Sequence, residues 1–282
     1  MLRLITWNIQ SGRGCDGHVD LARIVRVAQG IADFDVLCLQ EVANNFPDLP
    51  GMTDANQFAE IQQLLPDYAG IAGFGTDVRA PDGRRRQFGN LILTRLPALQ
   101  VFRHLLPWPA DPDVPSMQRV AVEAVLQTPL GGLRVTTTHL EYYSAMQRAA
   151  QIERLRKLQA EAASHARDAD HSRKEGGPFE NAVRPASGIL TGDFNFRPDD
   201  TLHARVQEPF GDATPRYVDS WHIAHASQPQ PPTLGVFDRE HWPESFTCDF
   251  IFVTEDLTNR VRDVKVDSCT DASDHQPVLI VF

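Results

Sequence analysis

Nine short apolar segments recur from the first residues of the chain to the last, and they restrict the fold more than any other feature. These segments are 2–8, 36–41, 89–95, 119–127, 133–140, 187–193, 246–253, 261–267 and 277–282. Several lack a clean alternation of polar and apolar residues, which is typical of strands covered on both faces of their sheet. The sequence therefore predicts a sheet-rich chain whose sheets are covered on both sides.

The segments between these strands predict one hairpin and three helices. Thr-Pro-Leu-Gly-Gly at 128–132 has the composition of a turn, so 119–127 and 133–140 should form a hairpin. Helices are predicted after the capping residue Asp20, over 56–65 and over 145–167. In the third helix Ser144 and Gln147 have capping-box spacing, and Met146 begins the predicted apolar side.

Long polar loops, at 107–118, 168–188 and 227–245, separate these elements. Loops of this length in a compact domain are often functional walls rather than spacers. The chain carries no apparent internal repeat and no long biased linker. We therefore expect a single mixed α/β domain over 1–282, with two packed sheets and outer helices.

The charge balance excludes one class of function. The chain has 27 Lys and Arg against 37 Asp and Glu, a net charge of -10, so a protein that coats polyanions through a basic field is disfavoured. An enzyme that meets phosphates through a metal ion is not excluded, because the ion supplies the local positive charge. The chain has no run of 18 apolar residues, its first residues do not have the pattern expected of a signal peptide, and the four cysteines form no CxxC pair. These features predict a reduced, cytoplasmic protein without stable membrane insertion.

Polar side chains stand at the ends of six of the apolar segments. They are Asn8, Glu41, His139, the pair Asp193 and Asn195, Asp249, and the pair Asp274 and His275. Each alone is explained by a turn, a cap or a satisfied core residue. Because mixed sheets gather strand ends along one rim, six such tips together would bury many polar groups at a high cost without a ligand. The pattern indicates a binding or catalytic site at that rim.

The order of these motifs resembles that of the endonuclease/exonuclease/phosphatase superfamily, over residues 2 to 282. That group includes pancreatic-type deoxyribonucleases, abasic-site endonucleases, bacterial sphingomyelinases and inositol polyphosphate 5-phosphatases. The motifs are Trp7-Asn8, Leu39-Gln40-Glu41, Thr138-His139-Leu140, Gly192-Asp193-Phe194-Asn195, Asp249-Phe250-Ile251 and Ser273-Asp274-His275-Gln276-Pro277-Val278. The resemblance implies a four-layer α/β sandwich of two packed mixed sheets flanked by helices. It also implies a Mg²⁺-dependent phosphoesterase, with Mn²⁺ as a substitute ion.

The resemblance assigns a metal site and a base. Glu41 would be the main metal ligand, since hard cations prefer carboxylate oxygens, and Asn8 and Asp274 would complete or support that site. Asp193 would orient and deprotonate the attacking water. Asn195, two residues further along an extended segment, would hold that water or a phosphoryl oxygen.

The remaining assignments concern the phosphate. His275 would contact it, with Asp249 on the other ring nitrogen favouring the charged imidazolium. His139 would stabilise phosphoryl oxygens or donate a proton to the leaving group. Asn90 is a candidate substrate contact or simply a strand start, and Arg119 would buttress Glu41, meet phosphate or form a surface ion pair.

The sequence leaves the substrate open. Arg79 and the run 84–86 are a candidate basic cluster, and Trp108 and Trp242 could stack on a base, touch a lipid or pack a loop. The segment Thr-His-Leu-Glu-Tyr-Tyr at 138–143 differs from the segment usual in abasic-site enzymes, and no long aromatic hairpin of the sphingomyelinase type is apparent. The expected partner is a phosphate ester, with DNA and RNA among the candidates, bound by a monomer.

Two alternatives remain. One is a phosphoinositide- or phospholipid-directed phosphatase or phosphodiesterase, for which His222, His225 and the segment 239–241 supply basic loops. The other is a non-catalytic binding module on the same scaffold, which predicts the loss of at least one metal- or water-handling residue. A zinc protein is disfavoured because HExxH and paired cysteine spacings are missing.

Overall fold

The computed structural model describes residues 1–168 and 184–282, and these residues form two six-stranded sheets. The strands are β1 (Arg3–Asn8), β2 (Val36–Asn44), β3 (Ala69–Arg79), β4 (Arg85–Thr94), β5 (Ala98–Leu105), β6 (Val120–Thr128), β7 (Gly131–His139), β8 (Gly188–Asp193), β9 (Tyr217–Asp219), β10 (Asp249–Thr254), β11 (Asp263–Val266) and β12 (Val278–Val281). The α-helices are α1 (Leu21–Ile31), α2 (Gln57–Leu64), α3 (Ala145–Arg167), α4 (Thr201–Gln207) and α5 (Ser220–His225).

Both sheets are mixed, as predicted. The first has the strand order β11-β12-β1-β2-β4-β3 and the second the order β5-β6-β7-β8-β10-β9. β1 and β2 run parallel, as do β7 and β8, and the other neighbouring strands are antiparallel. Parallel pairing of β1 with β2 and of β7 with β8 brings the carboxyl ends of each pair to the same end of its sheet.

Apolar side chains on both faces of each sheet produce four layers. Between the sheets, Cys38 and Ile92 belong to one buried cluster with Val122 and Ile251. A second cluster packs the first sheet against α1 and α2 and includes Trp7, Leu39, Ile24 and Ile61. A third packs the second sheet against α3 and includes Ile152, Leu155, Leu190 and Phe250. The four-layer α/β sandwich is therefore confirmed.

The nine predicted strands and the three predicted helices are all present, and the predicted hairpin is the pair β6–β7. β3 and β5 were not predicted because β3 contains three glycines and β5 is a largely exposed sheet-edge strand with Gln, Arg and His. The short β9, α4 and α5 were missed as well. The loop predicted over 168–188 lies mostly outside the described residues.

The apolar side assigned to α3 is partly wrong. Met146 is exposed, whereas Gln147, Gln151, Arg156 and Gln159 are buried. These polar side chains bond loop backbone carbonyls; for example, Gln147 Nε2 donates to the Pro109 carbonyl oxygen at 2.7 Å. Ser144 Oγ accepts from the Gln147 backbone N–H as predicted, but the Gln147 side chain does not return to Ser144, so half of the capping box forms.

A buried charged cluster holds the second sheet. The Glu123 carboxylate accepts from Arg184 Nε at 2.8 Å and Nη2 at 3.0 Å, and Arg134 Nη1 lies 3.5 Å away. His104 Nε2 lies 3.6 Å from the same carboxylate. Burial opposes ionisation, but the nearby His104, the hydrogen bonds from Arg184 and the charge of Arg134 outweigh it and lower the pKa of Glu123 to about 2.

All four cysteines are free thiols, with Cys38 and Cys248 buried as predicted. Across the two described stretches, no helix is both long enough and apolar enough to cross a bilayer.

Candidate active site

The polar strand tips predicted from the sequence meet at one rim of the sandwich. Asn8 ends β1, Glu41 lies near the end of β2, and His139 and Asp193 end β7 and β8 in register with each other. Asp249 begins the antiparallel strand β10, directly opposite Asp193. β12 is also antiparallel to its neighbour β1, so the residues that precede it, 274–275, reach the same rim. Strand direction thus explains why residues from both halves of the chain converge there.

Asp193 lies at the centre of this group. Its Oδ2 accepts from Asn8 Nδ2 at 3.0 Å and lies 3.4 Å from His139 Nε2 and 3.7 Å from His275 Nε2. Its Oδ1 accepts from the Asn195 backbone N–H at 2.9 Å. Burial, with Asp249 adding to it, raises the pKa of Asp193 to about 7. The carboxylate is therefore poised to accept a proton near neutral pH.

The residue before Asp193 must be glycine for conformational and steric reasons. Gly192 has φ 139°, a region that L side chains rarely adopt. A Cβ there would lie 1.9 Å from the Thr138 carbonyl oxygen on the neighbouring strand. The close approach of β7 to β8 at this point holds His139 and Asp193 side by side.

Glu41 occupies an irregular point of β2, where the register with β4 shifts between Leu39 and Val42. Its backbone has φ 58°, which is uncommon for a residue other than glycine and often marks a functional position. The Glu41 side chain is 26% exposed, and its Oε1 accepts a hydrogen bond from Asn8 Nδ2 at 3.1 Å. Burial and, after it, the negative charge of Asp274 raise the pKa of Glu41.

Asp274 is held by side chains from two other segments. Its Oδ2 accepts from Gln10 Nε2 and from Trp242 Nε1, each at 3.1 Å. The Gln10 backbone N–H also donates to Asn8 Oδ1 at 3.1 Å, so Gln10 links Asn8 to Asp274. Ser273 Oγ donates to the Asn8 carbonyl oxygen at 2.8 Å, which ties the segment before β12 to the end of β1.

His275 and Asp249 form a buried pair with a Nδ1–Oδ2 distance of 2.8 Å. The same Oδ2 accepts from Thr233 Oγ1 at 2.6 Å. Burial alone would lower the pKa of His275, but the negative charges of Asp249 and then Asp193 outweigh it, so this pKa lies well above the ordinary value. The structure thus places a cationic ring beside Asp193, with its orientation fixed from behind by Asp249.

His139 faces a different environment. Asn195 Nδ2 lies 2.9 Å from its Nε2 and also donates to the Leu140 carbonyl oxygen at 3.0 Å. Burial, then the positive charges of Arg119 and His275, hold the pKa of His139 well below its ordinary value. The two histidines of the site therefore differ in charge, with His275 cationic and His139 neutral.

Arg119 and Asn90 lie behind His139 and line a small cavity with it. Arg119 Nε donates to Glu141 Oε2 at 3.1 Å, so its partner is Glu141 rather than Glu41, and the pair is buried rather than on the surface. Arg119 Nη1 is buried without a hydrogen-bond partner among the described residues. Asn90 Nδ2 donates to the Val120 carbonyl oxygen at 2.9 Å, which fastens β4 to β6.

Sequence reasoning did not single out Gln10, Glu141 or Thr233 as parts of this site, and it named Ser273 only as a motif residue without a role. Gln10 stands two residues after Asn8, and Glu141 two residues after His139. Proximity to the named motifs was the available signal for these two. Thr233 lies in the proline-rich loop 227–245, and nothing in that loop's composition points to Asp249.

The charges of the site fit a divalent cation. Glu41, Asp193, Asp249 and Asp274 are four acids at one rim, whereas His275 is the cationic histidine there. Burial and, after it, the charge of Asp274 raise the pKa of Glu41, and a dication bound beside this carboxylate would favour its ionised form. The partly exposed Glu41 side chain offers the carboxylate oxygens that a hard cation prefers, the charge of Asp274 lies near it, and the Asn8 side chain supports it through a hydrogen bond from Nδ2.

A second set of ligand-type atoms, from Asp193, Cys248 and His275, lies within 4.8 Å of one another. This set does not suit a metal. His275 Nδ1 already pairs with Asp249, and burial raises the pKa of the Cys248 thiol well above its ordinary value. A neutral thiol is a weak ligand.

Three of the four arginines of the candidate basic cluster are paired with aspartates, and Arg79 forms no ion pair among the described residues. Arg84 pairs with Asp54 and Asp82, Arg85 with Asp77, and Arg86 with Asp48. These arginines therefore form no free basic surface. Trp108 is exposed and donates to Ser116 Oγ at 2.9 Å, whereas Trp242 belongs to the site through Asp274.

One family is recognised over nearly the whole chain. The model of the Endonuclease/Exonuclease/phosphatase family matches residues 5–275. No curated protein matches significantly.

Solved structures share the fold. An endonuclease/exonuclease/phosphatase from Beutenbergia cavernae is 23% identical, over 99% of this chain and 70% of that one, with a TM-score of 0.66. The mannosyl-6-phosphatase from Bacteroides thetaiotaomicron is 18% identical over 100% of both chains, with a TM-score of 0.67. The 3′ phosphatase NExo from Neisseria, bound to a product DNA hairpin, is 19% identical over 100% of this chain and 99% of that one, with a TM-score of 0.59. At these identities the similarity concerns the fold alone.

Proposed function

Because the chain belongs to the Endonuclease/Exonuclease/phosphatase family, we propose that it is a metal-dependent phosphoesterase that hydrolyses phosphodiester or phosphomonoester bonds. Enzymes of this family act on phosphoester bonds and typically use divalent metals, whereas some members are non-catalytic. The observation that carries the proposal is the convergence of Glu41, Asp193 and His275 on Asn8, whose amide nitrogen lies 3.1, 3.0 and 3.4 Å from them. Three groups therefore surround the Asn8 amide: a carboxylate that could bind a cation (Glu41), a candidate general base (Asp193) and a cationic ring (His275).

Glu41, with Asn8 and Asp274, would hold the ion, which we take to be Mg²⁺ with Mn²⁺ as a substitute. Such an ion, when bound, stabilises the negative charge that develops on the phosphoryl oxygens. Gln10 and Trp242 hold Asp274 in place through their hydrogen bonds to its Oδ2.

Asp193 would accept the proton of the attacking water as the water oxygen bonds to phosphorus. Its pKa of about 7 suits a general base, and Asn195 holds its other oxygen through the backbone N–H at 2.9 Å. The bond from phosphorus to the leaving oxygen breaks on the opposite side, in line with the attack.

His275 would bind a phosphoryl oxygen through its Nε2–H, since Asp249 occupies Nδ1 and favours the imidazolium. His139, beside Asp193 and Asn195, would donate a hydrogen bond to the phosphoryl group or the proton to the leaving oxygen. Arg119 and Asn90 would support this side of the site from behind His139. The cationic state of His275 suits a contact to the phosphate, and the neutral state of His139 favours the hydrogen bond to the phosphoryl group over the proton transfer.

A substrate panel with Mg²⁺ or Mn²⁺ tests the proposal. The panel contains plasmid DNA, short RNA, inositol phosphates, phospholipids and bis(4-nitrophenyl) phosphate. Glu41→Gln and His275→Ala should each lower metal-dependent turnover by orders of magnitude with circular dichroism unchanged. Asp212→Asn removes an exposed carboxylate elsewhere and should leave turnover unchanged.

Calorimetry separates an enzyme from a binding module. We expect the parent protein to bind Mg²⁺ and Glu41→Gln to bind it more weakly. No binding at millimolar Mg²⁺, together with no turnover on the panel, would favour a non-catalytic module. Equal turnover by the parent and Glu41→Gln would contradict the assigned metal site.

A further inference from the structure

Three aromatic side chains, Tyr142, Tyr143 and Trp242, form a ridge beside the site, which we call the aromatic ridge. The rings of Tyr142 and Tyr143 have centroids 4.8 Å apart, and those of Tyr142 and Trp242 are 6.0 Å apart. Tyr142 is 40% exposed and Tyr143 is 59% exposed. Two exposed tyrosines that adjoin a third aromatic ring at the edge of the site form a candidate binding surface.

The ridge connects directly to the site. Trp242 Nε1 donates to Asp274 Oδ2 at 3.1 Å, and the Trp242 ring is flanked by Tyr142 and by Phe246, whose centroid lies 6.2 Å away. The contact to Asp274 places the inner end of the ridge against the proposed metal site. Tyr142 and Tyr143 extend it outward.

The tyrosines are held by their backbone rather than by their rings. The N–H groups of Tyr142 and Tyr143 donate to Glu141 Oε1 at 3.0 and 3.1 Å, and Glu141 pairs with Arg119. Arg148 Nη1 donates to the Tyr142 carbonyl oxygen at 2.8 Å. The rings are thus presented by a fixed main chain that begins two residues after His139.

We propose that the aromatic ridge stacks on a nucleobase attached to the phosphate ester, which makes it a substrate-specificity surface of this site. This inference rests on the proposed phosphoesterase function. Stacking on aromatic side chains accepts every base, because every base has a π-face, and sites for long single strands add a positively charged groove. The chain has a net charge of -10 and its arginines at 84–86 are paired with aspartates, so the ridge suits a short substrate held by its base rather than a long strand held along a basic groove. The substrate class would be a nucleotide diester or a single-stranded end, gripped by its base.

The test compares two diesters in the presence of Mn²⁺. Dithymidine monophosphate carries a base on each side of the phosphate, and glycerophosphoglycerol carries neither a base nor a cationic group that could bind an aromatic face. Tyr142→Leu should lower kcat/KM for dithymidine monophosphate about 5- to 150-fold, the range expected for losing one base stack. The same variant should change kcat/KM for glycerophosphoglycerol less than about 2-fold, and Tyr142→Phe should retain the parent kcat/KM for dithymidine monophosphate. Trp108→Leu removes an exposed aromatic on another loop and serves as the control.

The outcomes are distinct from those of the proposed function. A parent that hydrolyses no phosphate ester overturns both. If the parent is active and Tyr142→Leu lowers kcat/KM equally for both diesters, the ridge does not stack on a base. The proposed phosphoesterase function would not be affected by that result. If Tyr142→Leu lowered kcat/KM only for phospholipid vesicles or only for mannose 6-phosphate, the ridge would bind a lipid or a sugar instead of a base. Either result would overturn the proposal.

Discussion

Replacing Glu123 by glutamine probes the charged cluster that holds the second sheet. The carboxylate is fully buried and pairs with Arg184, with Arg134 and His104 also within 3.6 Å of it. Glu123→Gln keeps the shape and one hydrogen-bond acceptor but removes the charge. Two buried guanidinium groups would then lack their counter-ion.

The pKa gives the size of the effect. The cluster lowers the pKa of Glu123 from an ordinary 4.5 to about 2. At about 1.4 kcal/mol per pKa unit, the ionised form gains about 3 kcal/mol from folding. Breaking a buried ion pair by removing one partner typically costs about 3–5 kcal/mol, which agrees. We expect Glu123→Gln to lower the free energy of unfolding by about 3 kcal/mol at pH 7.

The sign of the pH dependence follows from the lowered pKa. The stabilisation is complete above pH 4.5, where the unfolded chain also ionises Glu123, and is lost as the pH falls toward 2. The parent and the variant should therefore differ most at neutral pH. Their difference should shrink between pH 4.5 and 2.

Urea denaturation followed by circular dichroism, at pH 7 and at pH 3, measures the loss of unfolding free energy in Glu123→Gln and the change of this loss with pH. Glu161→Gln is the matched control, because Glu161 forms an exposed pair with Arg154 that should contribute less than about 1 kcal/mol. A loss under about 1 kcal/mol for Glu123→Gln, or a loss that is the same at both pH values, would refute the reasoning.

Other substitutions test individual contacts. Asp193→Asn should lower kcat about 10²- to 10⁴-fold with an unchanged circular dichroism spectrum, and a parent-like kcat would show that another group accepts the proton. Gly235→Ala places a Cβ 2.5 Å from Trp242 Cβ at φ 70°, so it should cost about 1–3 kcal/mol in urea denaturation and weaken Mg²⁺ binding in calorimetry. Unchanged Mg²⁺ affinity would mean that the Trp242 contact does not support Asp274. Ser144→Ala removes the N-cap of α3 and should cost about 1 kcal/mol in the same denaturation assay, whereas no loss would show that the cap is dispensable.

The strands of the core could be predicted because their apolar runs are local properties of the sequence. Strand β3 could not be predicted, because its three glycines oppose strand formation. It forms because it pairs with β4, which is a tertiary contact. The burial of Gln147 and Arg156 on α3 could not be predicted either. Gln147 bonds a carbonyl of the loop 107–118, and Arg156 bonds carbonyls at the C-terminal end of α4 and just after it; the tertiary fold brings both segments to α3.

The sequence by itself determined the polar tips of the strands, since each follows or begins a recognisable apolar run, and their order indicated the family. The tertiary structure decided which tips touch. Gln10 and Asp274 are 264 positions apart and bond at the rim, and Arg119 pairs with Glu141 rather than with Glu41. The structure also joined Trp242 to Tyr142 across 100 positions to form the aromatic ridge. The physical reason is that strand direction and register, which depend on long-range packing, set the distances between side chains that the sequence places far apart.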